Sequence, residues 1–551
     1  MTRTSSSHPL ARELKHQWET GQISRRDFLR YSALLGVGVG AAGPIAGLAR
    51  VSRAFAGDIR RGGTFRISCP IYKLTHPAQT SWLQQSNLMR QVGEYLTYTD
   101  HENITHPYLL KRWEAGDDLK TWNLHLRHGI HFNNGDPLTA DDVTFSMRQW
   151  LDKDVGTSIK GLMGDYLDVT GIEKVGDHHI RLHLKRPEIA VPEHLFHYPA
   201  IILNHRTFEG DFIKRPHGTG PYTVETYKEG DRAVFAARKD YWQNGADGKP
   251  LPYLDRLEYI DMGTEMSAQI AAIQAGDIDF IDIGDAPGTD VYNALKDNGD
   301  ITISAVPSAQ TRVMRMRVDM KPWDDNRVRT AMKLCQHHEK IRQLAFFGEG
   351  LLGQDVHVYQ KHPEYCEIQP PGFNPEQARK LLAEAGFPNG LDVQLSISNG
   401  WPDVVRYAEI LKEDAKAAGF NVIIQTMPSS QYWEKWTEVP FGITPWTHRP
   451  LGTMVYNLAY TRNEAGEPVP WNETRWVDDE FSTLLDQANR TLDVPERRKI
   501  FCKLETIQLE RGSIGIPYWR NIWFVARKRM KGVQSHPSGY TLFNEVWKSA
   551  G

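Results

Sequence analysis

Apolar and polar residues alternate at Thr64-Phe65-Arg66-Ile67 and again from Thr121 to Leu126, the period-two pattern of strands with one buried face. Thr139-Ala140-Asp141-Asp142 sets a threonine cap three residues before an acidic one, which predicts a helix running toward Leu151. The fullest unit lies between 374 and 424. Asn374 caps it, Pro375 takes the first helical position, and Ala378, Leu381, Leu382 and Ala385 share one face before Gly386 stops the helix. Leu391, Val393, Leu395 and Ile397 then alternate as a strand. After Pro402 a second helix carries Val404, Ala408, Leu411, Ala415 and Ala418 to a stop at Gly419, and Phe420 to Ile424 is the next strand. This strand-helix-strand order favours a parallel pair, so the pattern predicts an α/β protein. A similar switch occurs earlier, where Met266, Ile270 and Ile273 line a helix ending at Gly276 and Ile278 to Ile281 resumes a strand.

Length fits that reading: 551 residues allow three or four structural units at roughly 100–200 residues each. Past residue 57 neither a low-complexity linker nor a repeat marks where one unit ends. With 40% apolar residues and 16 Trp, material for a core is ample. Charge changes the picture at one end only. The first 56 residues carry eight basic and three acidic residues, which leaves the remaining chain at −8, against the basic face a nucleic-acid binder needs.

Ser24-Arg25-Arg26-Asp27-Phe28-Leu29-Arg30 precedes a weakly apolar, Gly- and Ala-rich stretch from Tyr31 to Ala49. This is the twin-arginine export pattern, an address read by a receptor. Glycines and Pro44 interrupt the stretch, which argues against a bilayer span of ~20 strongly apolar residues. Ala54-Phe55-Ala56 supplies a small-x-small cleavage site, so residues 1–56 are expected to be a removable signal with the mature chain starting near Gly57. The alternative is a basic amphipathic helix of a cytosolic protein. No Cys stands at the cleavage site, so no lipid anchor is expected. Cys69, Cys335, Cys366 and Cys502 would meet an oxidising compartment, where a disulfide or two is open but the pairing is not readable from sequence.

Several residues invite a catalytic reading. His125, His128 and His131 recur every three positions, yet they straddle Gly129 in a strand and turn where side chains alternate, so they do not converge simply on a metal. His194 and His197 approach one another if helical, whereas His178-His179 and His337-His338 diverge as neighbours do. Asp141-Asp142 and Asp324-Asp325 sit at helix starts, where carboxylates stabilise exposed N–H groups. Phosphate, dinucleotide, zinc-protease and serine-hydrolase motifs are all missing, so no catalytic residue, metal or cofactor is assigned.

Specific runs then match a known family. They are Leu110-Lys111-Arg112-Trp113-Glu114, Trp122 to Phe132, Asn134-Gly135-Asp136-Pro137-Leu138-Thr139-Ala140-Asp141-Asp142-Val143 and Gly218-Thr219-Gly220-Pro221-Tyr222, followed by Asp240-Tyr241-Trp242, Pro252-Tyr253-Leu254-Asp255, Gln274 to Asp279 and Asp325 to Ala331. In order and spacing the chain resembles the family 5 solute-binding proteins of ABC importers, the dipeptide, oligopeptide and nickel binders. The resemblance implies a type II (cluster C) periplasmic binding protein: two α/β lobes hinged by two strands, with an extra inserted domain. Lobe I would be 57–98, 201–308 and 513–551, the insertion 99–200, and lobe II 309–512. It also implies ligand capture between lobes that close, and delivery to a permease and ATPase at the inner membrane.

Ligand identity is expected in strand-end loops. Phe441 to Pro450 occupies the place where, by that resemblance, peptide binders carry an acidic residue for the peptide's amino group. From Pro440 to Tyr460 this chain has no Asp or Glu, and offers His448 and Arg449 instead. Arg provides a planar fork for a carboxylate or phosphate. Arg449, His448, Trp446, Trp401 and Tyr72 are therefore the expected ligand contacts, with core packing the alternative for Trp446 and a surface ion pair for Arg449. The expected protein is a periplasmic monomer, exported by the twin-arginine machinery, that binds a carboxylate-bearing solute: a modified or acidic peptide, an opine-like compound or a metal chelate. An ordinary di- or oligopeptide ligand is the alternative, and an exported metal-dependent enzyme a minor one.

Overall fold

Residues 9–36, 59–80, 83–263, 265–284, 288–463 and 465–549 are described by the computed structural model. Gly57, the cleavage site at 54–56 and the apolar stretch beyond Gly36 lie outside them. By contacts the chain divides into two units, Met1–Val306 with Trp523–Gly551, and Pro307–Ile522.

In the first unit, α1 (Pro9–Glu19) and α2 (Arg25–Leu34) pack as a helical pair. Then follow β1 (Thr64–Ser68), the hairpin of β2 (Thr97–Thr99) and β3 (Thr105–Pro107), β4 (Leu110–Ala115) and β5 (Thr121–Leu126). The helix expected after Thr139 is α3 (Ala140–Leu151), closed by a capping box between Thr139 and Asp142. Next come β6 (Ile172–Gly176), β7 (His179–His183), β8 (Tyr222–Lys228), β9 (Arg232–Ala237), β10 (Arg256–Ile260) and α4 (Met266–Ala275). The strand expected over 278–281 shrinks to β11 (Phe280–Ile281), because Asp279 turns its N–H to Arg66 and its carboxylate to Arg529.

The main sheet of this unit runs β11-β1-β10-β9-β8, with β1 parallel to both neighbours. A separate antiparallel sheet runs β4-β5-β7-β6. Gly218 and Gly220 press their backbone onto residues 91–93: a Cβ at Gly218 would stand 2.0 Å from the Val92 carbonyl oxygen. The Gly-Thr-Gly-Pro run therefore serves close backbone approach rather than a left-handed turn.

The chain leaves the first unit within β12 (Ile301–Met316). The second unit holds α5 (Asn326–Leu334), capped by Asp325, and α6 (Pro375–Glu384), capped by Asn374. The crossover unit expected from the pattern follows as β13 (Leu391–Ser398), α7 (Pro402–Ala415) and β14 (Phe420–Met427). Beyond it lie α8 (Ser429–Lys435), β15 (Phe441–Trp446), α9 (Gly452–Ala459) and α10 (Val494–Arg511), and β16 (Tyr518–Arg527) leads back to the first unit. The sheet order is β14-β13-β15-β12, with β13 parallel to β14 and β15 and β12 antiparallel to β15. One of its core clusters joins Trp446, Tyr456, Phe481, Phe501, Leu504 and Trp519. A disulfide, Cys366–Cys502, ties the irregular segment before α6 to α10, while Cys69 and Cys335 are buried thiols.

Candidate ligand site

From β13 the chain crosses through α7 to β14 on one side, then returns through α8 to β15 on the other. Connections leave in opposite directions, so a topological switch point falls between β13 and β15, the place where parallel α/β sheets open a crevice beyond the carboxyl ends of their strands. Trp401 follows the end of β13, Trp446 is the last residue of β15, and Thr447, His448 and Arg449 follow it. Strand order thus brings four of the five expected contacts to one edge of one unit. Tyr72 belongs to the first unit, half-buried, with its carbonyl accepting from the Tyr227 hydroxyl at 2.6 Å.

All four side chains at the switch point are only 4–6% exposed, so Arg449 is not a surface residue. Its Nη1 donates to Thr447 Oγ1 at 2.7 Å and to the His448 carbonyl at 2.9 Å. Its own carbonyl accepts from His362 Nε2 at 2.8 Å, and His362 Nδ1 accepts from the Tyr359 N–H, which sets that ring's tautomer. His448 Nδ1 accepts from the Ala309 N–H at 3.0 Å, so the neutral ring carries its proton on Nε2. Nearby His357 is pushed down to about 3 by burial, with His362 and the Arg449 charge adding to it, and stays neutral.

Trp446 packs in the core and its Nε1 donates to Glu473 Oε1 at 2.7 Å. Glu473 was not foreseen, because it comes 27 residues later in the chain. Its other oxygen takes the Thr444 hydroxyl at 2.6 Å and faces Arg315 Nε at 3.2 Å. Burial outweighs Arg315 and raises its pKa. A second buried carboxylate, Asp403, stands two residues past Trp401 and receives Arg312 Nε at 2.8 Å, Arg312 Nη2 at 3.3 Å and the Tyr518 hydroxyl at 3.2 Å. Asp403 and Glu473 are thus each matched by an arginine.

An arc of edge-on rings links the two strand ends: Trp401–Trp433 at 5.6 Å, Trp433–Trp436 at 5.6 Å, Trp436–Trp471 at 5.7 Å and Trp471–Trp446 at 6.0 Å. Trp433, Trp436 and Trp471 are half-buried and were not singled out from sequence, although Trp433 and Trp436 lie one helical turn apart.

The histidines of the small sheet form pairs instead of a metal centre. His125 lies opposite His179 across β5 and β7, with ring centroids 4.3 Å apart, and His128 meets His178 at 4.0 Å. His178 and His179 do diverge, each toward a different partner. His125 is pushed down to about 4 by burial, then by Arg112 and His179. Among the described residues no group of three or more His, Cys, Asp or Glu could hold a metal ion, and no helix is long and apolar enough to cross a membrane.

Three parallel strands with loops gathered at a switch point, in a chain that leaves a first α/β unit for a second and then re-enters the first, have the architecture of type II periplasmic binding proteins. Comparison makes the class specific: residues 105–466 match the model for bacterial extracellular solute-binding proteins, family 5, and the chain belongs to that family. Heme-binding protein A of Haemophilus influenzae is 25% identical over 477 residues, covering 80% of this chain and 83% of that protein. The dipeptide-binding protein of Escherichia coli K12 is 23% identical over 472 residues, covering 80% and 85%. Among solved structures, DppA of Helicobacter pylori with the peptide STSA superposes with a TM-score of 0.76 at 19% identity, covering 89% of this chain and 99% of that one. The binding protein AgaA of A. tumefaciens R10 with agropinic acid gives 0.75 at 18% identity, again covering 89% and 99%.

Proposed function

We propose that this protein is the periplasmic substrate-binding component of an ABC importer and that it captures a small, carboxylate-bearing solute through Arg449. One observation carries the ligand class: Arg449 stands at the switch point, while Asp403 near Trp401 and Glu473 beside Trp446 face Arg312 and Arg315. Neither Asp403 nor Glu473 is left without a cation for an ammonium group, and a guanidinium suits a solute carboxylate. Trp401 and the half-buried tryptophans offer ring faces and edges for the rest of the solute, with His448 proposed as a further contact. Tyr72 is proposed as a contact from the other lobe. A similar solved structure, a binding protein holding agropinic acid, suits the opine-like member of the expected ligands: a modified or acidic peptide, an opine-like compound or a metal chelate. The names of the dipeptide-binding relatives favour a second reading, an ordinary di- or oligopeptide.

The division into lobe I (57–98, 201–308, 513–551), an inserted domain (99–200) and lobe II (309–512) is proposed with it, as is hinge closure on the ligand. Export through Arg25-Arg26 and removal of residues 1–56 complete the reading, with delivery to a permease and ATPase by a monomeric, unlipidated protein. The test is mass spectrometry of the co-purifying solute, then calorimetric titration of wild type, Arg449→Ala and Arg449→Lys. Losing one partner of a buried pair costs on the order of 2–5 kcal/mol, roughly thirtyfold or more in affinity. Lys should recover only part of it. Equal affinities in all three would remove Arg449 from the site.

A further inference from the structure

The export motif is folded into α2 and engaged by the body of its own unit. Ser24 caps the helix, its Oγ accepting from the Asp27 N–H at 3.1 Å. Phe28 stacks on Trp18 of α1 at 4.8 Å. The turn between β2 and β3 presents two carbonyls to the motif: Glu102 O accepts from Arg26 Nε at 3.0 Å, and Asn103 O from Arg30 Nε at 3.0 Å. Asn103 sits at φ 60°, a left-handed conformation held by the side chain of Asp100, which accepts from the Glu102 and Ile104 N–H groups. Farther along, Trp113 of β4 donates its indole N–H to the Leu34 carbonyl at 2.8 Å, and Gly36 approaches so closely that a Cβ there would meet the Trp113 carbonyl oxygen at 2.1 Å. Arg30, Tyr31 and Leu34 are fully buried, while Arg25 stays exposed.

From this we infer that the 100–104 turn and Trp113 form a docking surface whose occupant is the chain's own leader, residues 9–36, and that docking masks the export address in the folded precursor. A receptor that reads the arginine pair with Phe28 and Leu29 finds Arg25 exposed, Arg26 and Leu29 half-buried and Phe28 buried until the helical pair lifts off. Export would then track the docking equilibrium, and removal of the leader would uncover this surface on the mature protein. The inference rests on the twin-arginine reading for its consequence, but the docking itself is independent of it.

The experiment uses the full chain. Trypsin cleavage after Arg30 is timed by mass spectrometry in wild type, in Trp113→Phe, and in a synthetic peptide of residues 9–36. Docking predicts cleavage in the chain at least about tenfold slower than in the peptide, because the site opens only when the pair lifts off. Trp113→Phe, which loses one hydrogen bond and keeps an aromatic ring, should speed it about two- to tenfold. Export from cells is read in parallel, and Trp113→Phe should leave the cytoplasm faster than wild type. A chain cleaved as fast as the peptide overturns docking. Protection with export unchanged by Trp113→Phe overturns masking. Normal export of Arg25→Lys/Arg26→Lys overturns the twin-arginine reading while leaving docking as measured by trypsin.

Discussion

Replacing Asp403 by Asn tests whether the arginines around the switch point are held by the partners described above. Arg312 and Asp403 are 1% and 0% exposed, and the carboxylate is the acceptor for two Arg312 donors and the Tyr518 hydroxyl. Asn keeps an acceptor but removes the charge, leaving a guanidinium buried without this counter-ion. Breaking one side of a buried pair costs about 3–5 kcal/mol, and the retained hydrogen bond returns about 1. A net loss of ~2–4 kcal/mol, in a unit of this size, lowers the melting temperature by roughly 4–16 °C. Burial alone would raise the Asp403 pKa, but Arg312 and Arg520 outweigh it and hold the carboxyl below the usual range. Its stabilisation is therefore present above the unfolded value of about 3.9 and lost as pH falls through the folded one. The gap between Asp403→Asn and wild type should be full at pH 7 and shrink below about pH 4. Thermal melts followed by tryptophan fluorescence measure both. Arg312→Met/Asp403→Leu should recover most of the loss, since an apolar pair of similar volume removes both desolvated charges. An Asp403→Asn melting curve indistinguishable from wild type at pH 7, or a double variant worse than the single one, would refute the argument.

Glu505 gives the opposite pH sign. It is fully buried, its Oε1 accepts the Cys366 N–H at 3.0 Å, and burial, reinforced by Glu364, holds its pKa well above the ordinary value. The folded state keeps the proton, so stability falls as pH rises toward that raised pKa. Glu505→Gln should melt with wild type near pH 4 and above it by pH 8, and parallel curves would count against the assignment. Reduction of Cys366–Cys502, or Cys366→Ser/Cys502→Ser, should cost about 2–5 kcal/mol by freeing a long loop in the unfolded chain. Cys335, pushed up to about 12 by burial and then by Asp414, should resist alkylation at pH 8 until the protein unfolds.

Much of the fold was legible because local chemistry and burial agree in it. The cap at Thr139, the cap at Asn374 and the β13–α7–β14 crossover stand where the pattern puts them, since each depends on residues within one or two turns. Two readings needed tertiary contacts. The strand before Phe280 is shortened by Asp279, which bonds to Arg66 and to Arg529 from the far end of the chain. Pairing of Cys366 with Cys502 spans 136 residues, a separation with no local signature.

The site was half legible for the same reason. A strand followed by a tryptophan, and another followed by an arginine, can be read one at a time. Only the crossing order of β13, β14 and β15 sets them at one switch point. The absence of acid from Pro440 to Tyr460 is true of the sequence but not of the space, because Glu473 reaches Thr444 and Trp446. A further fact the sequence hides is that Glu473 faces Arg315 and Asp403 faces Arg312. Asp403 and Glu473 each arrive with a cation, so the charge that Arg449 adds to this edge has to be judged against those pairs. A carboxylate count along the chain would have missed both the acids and their cancellation.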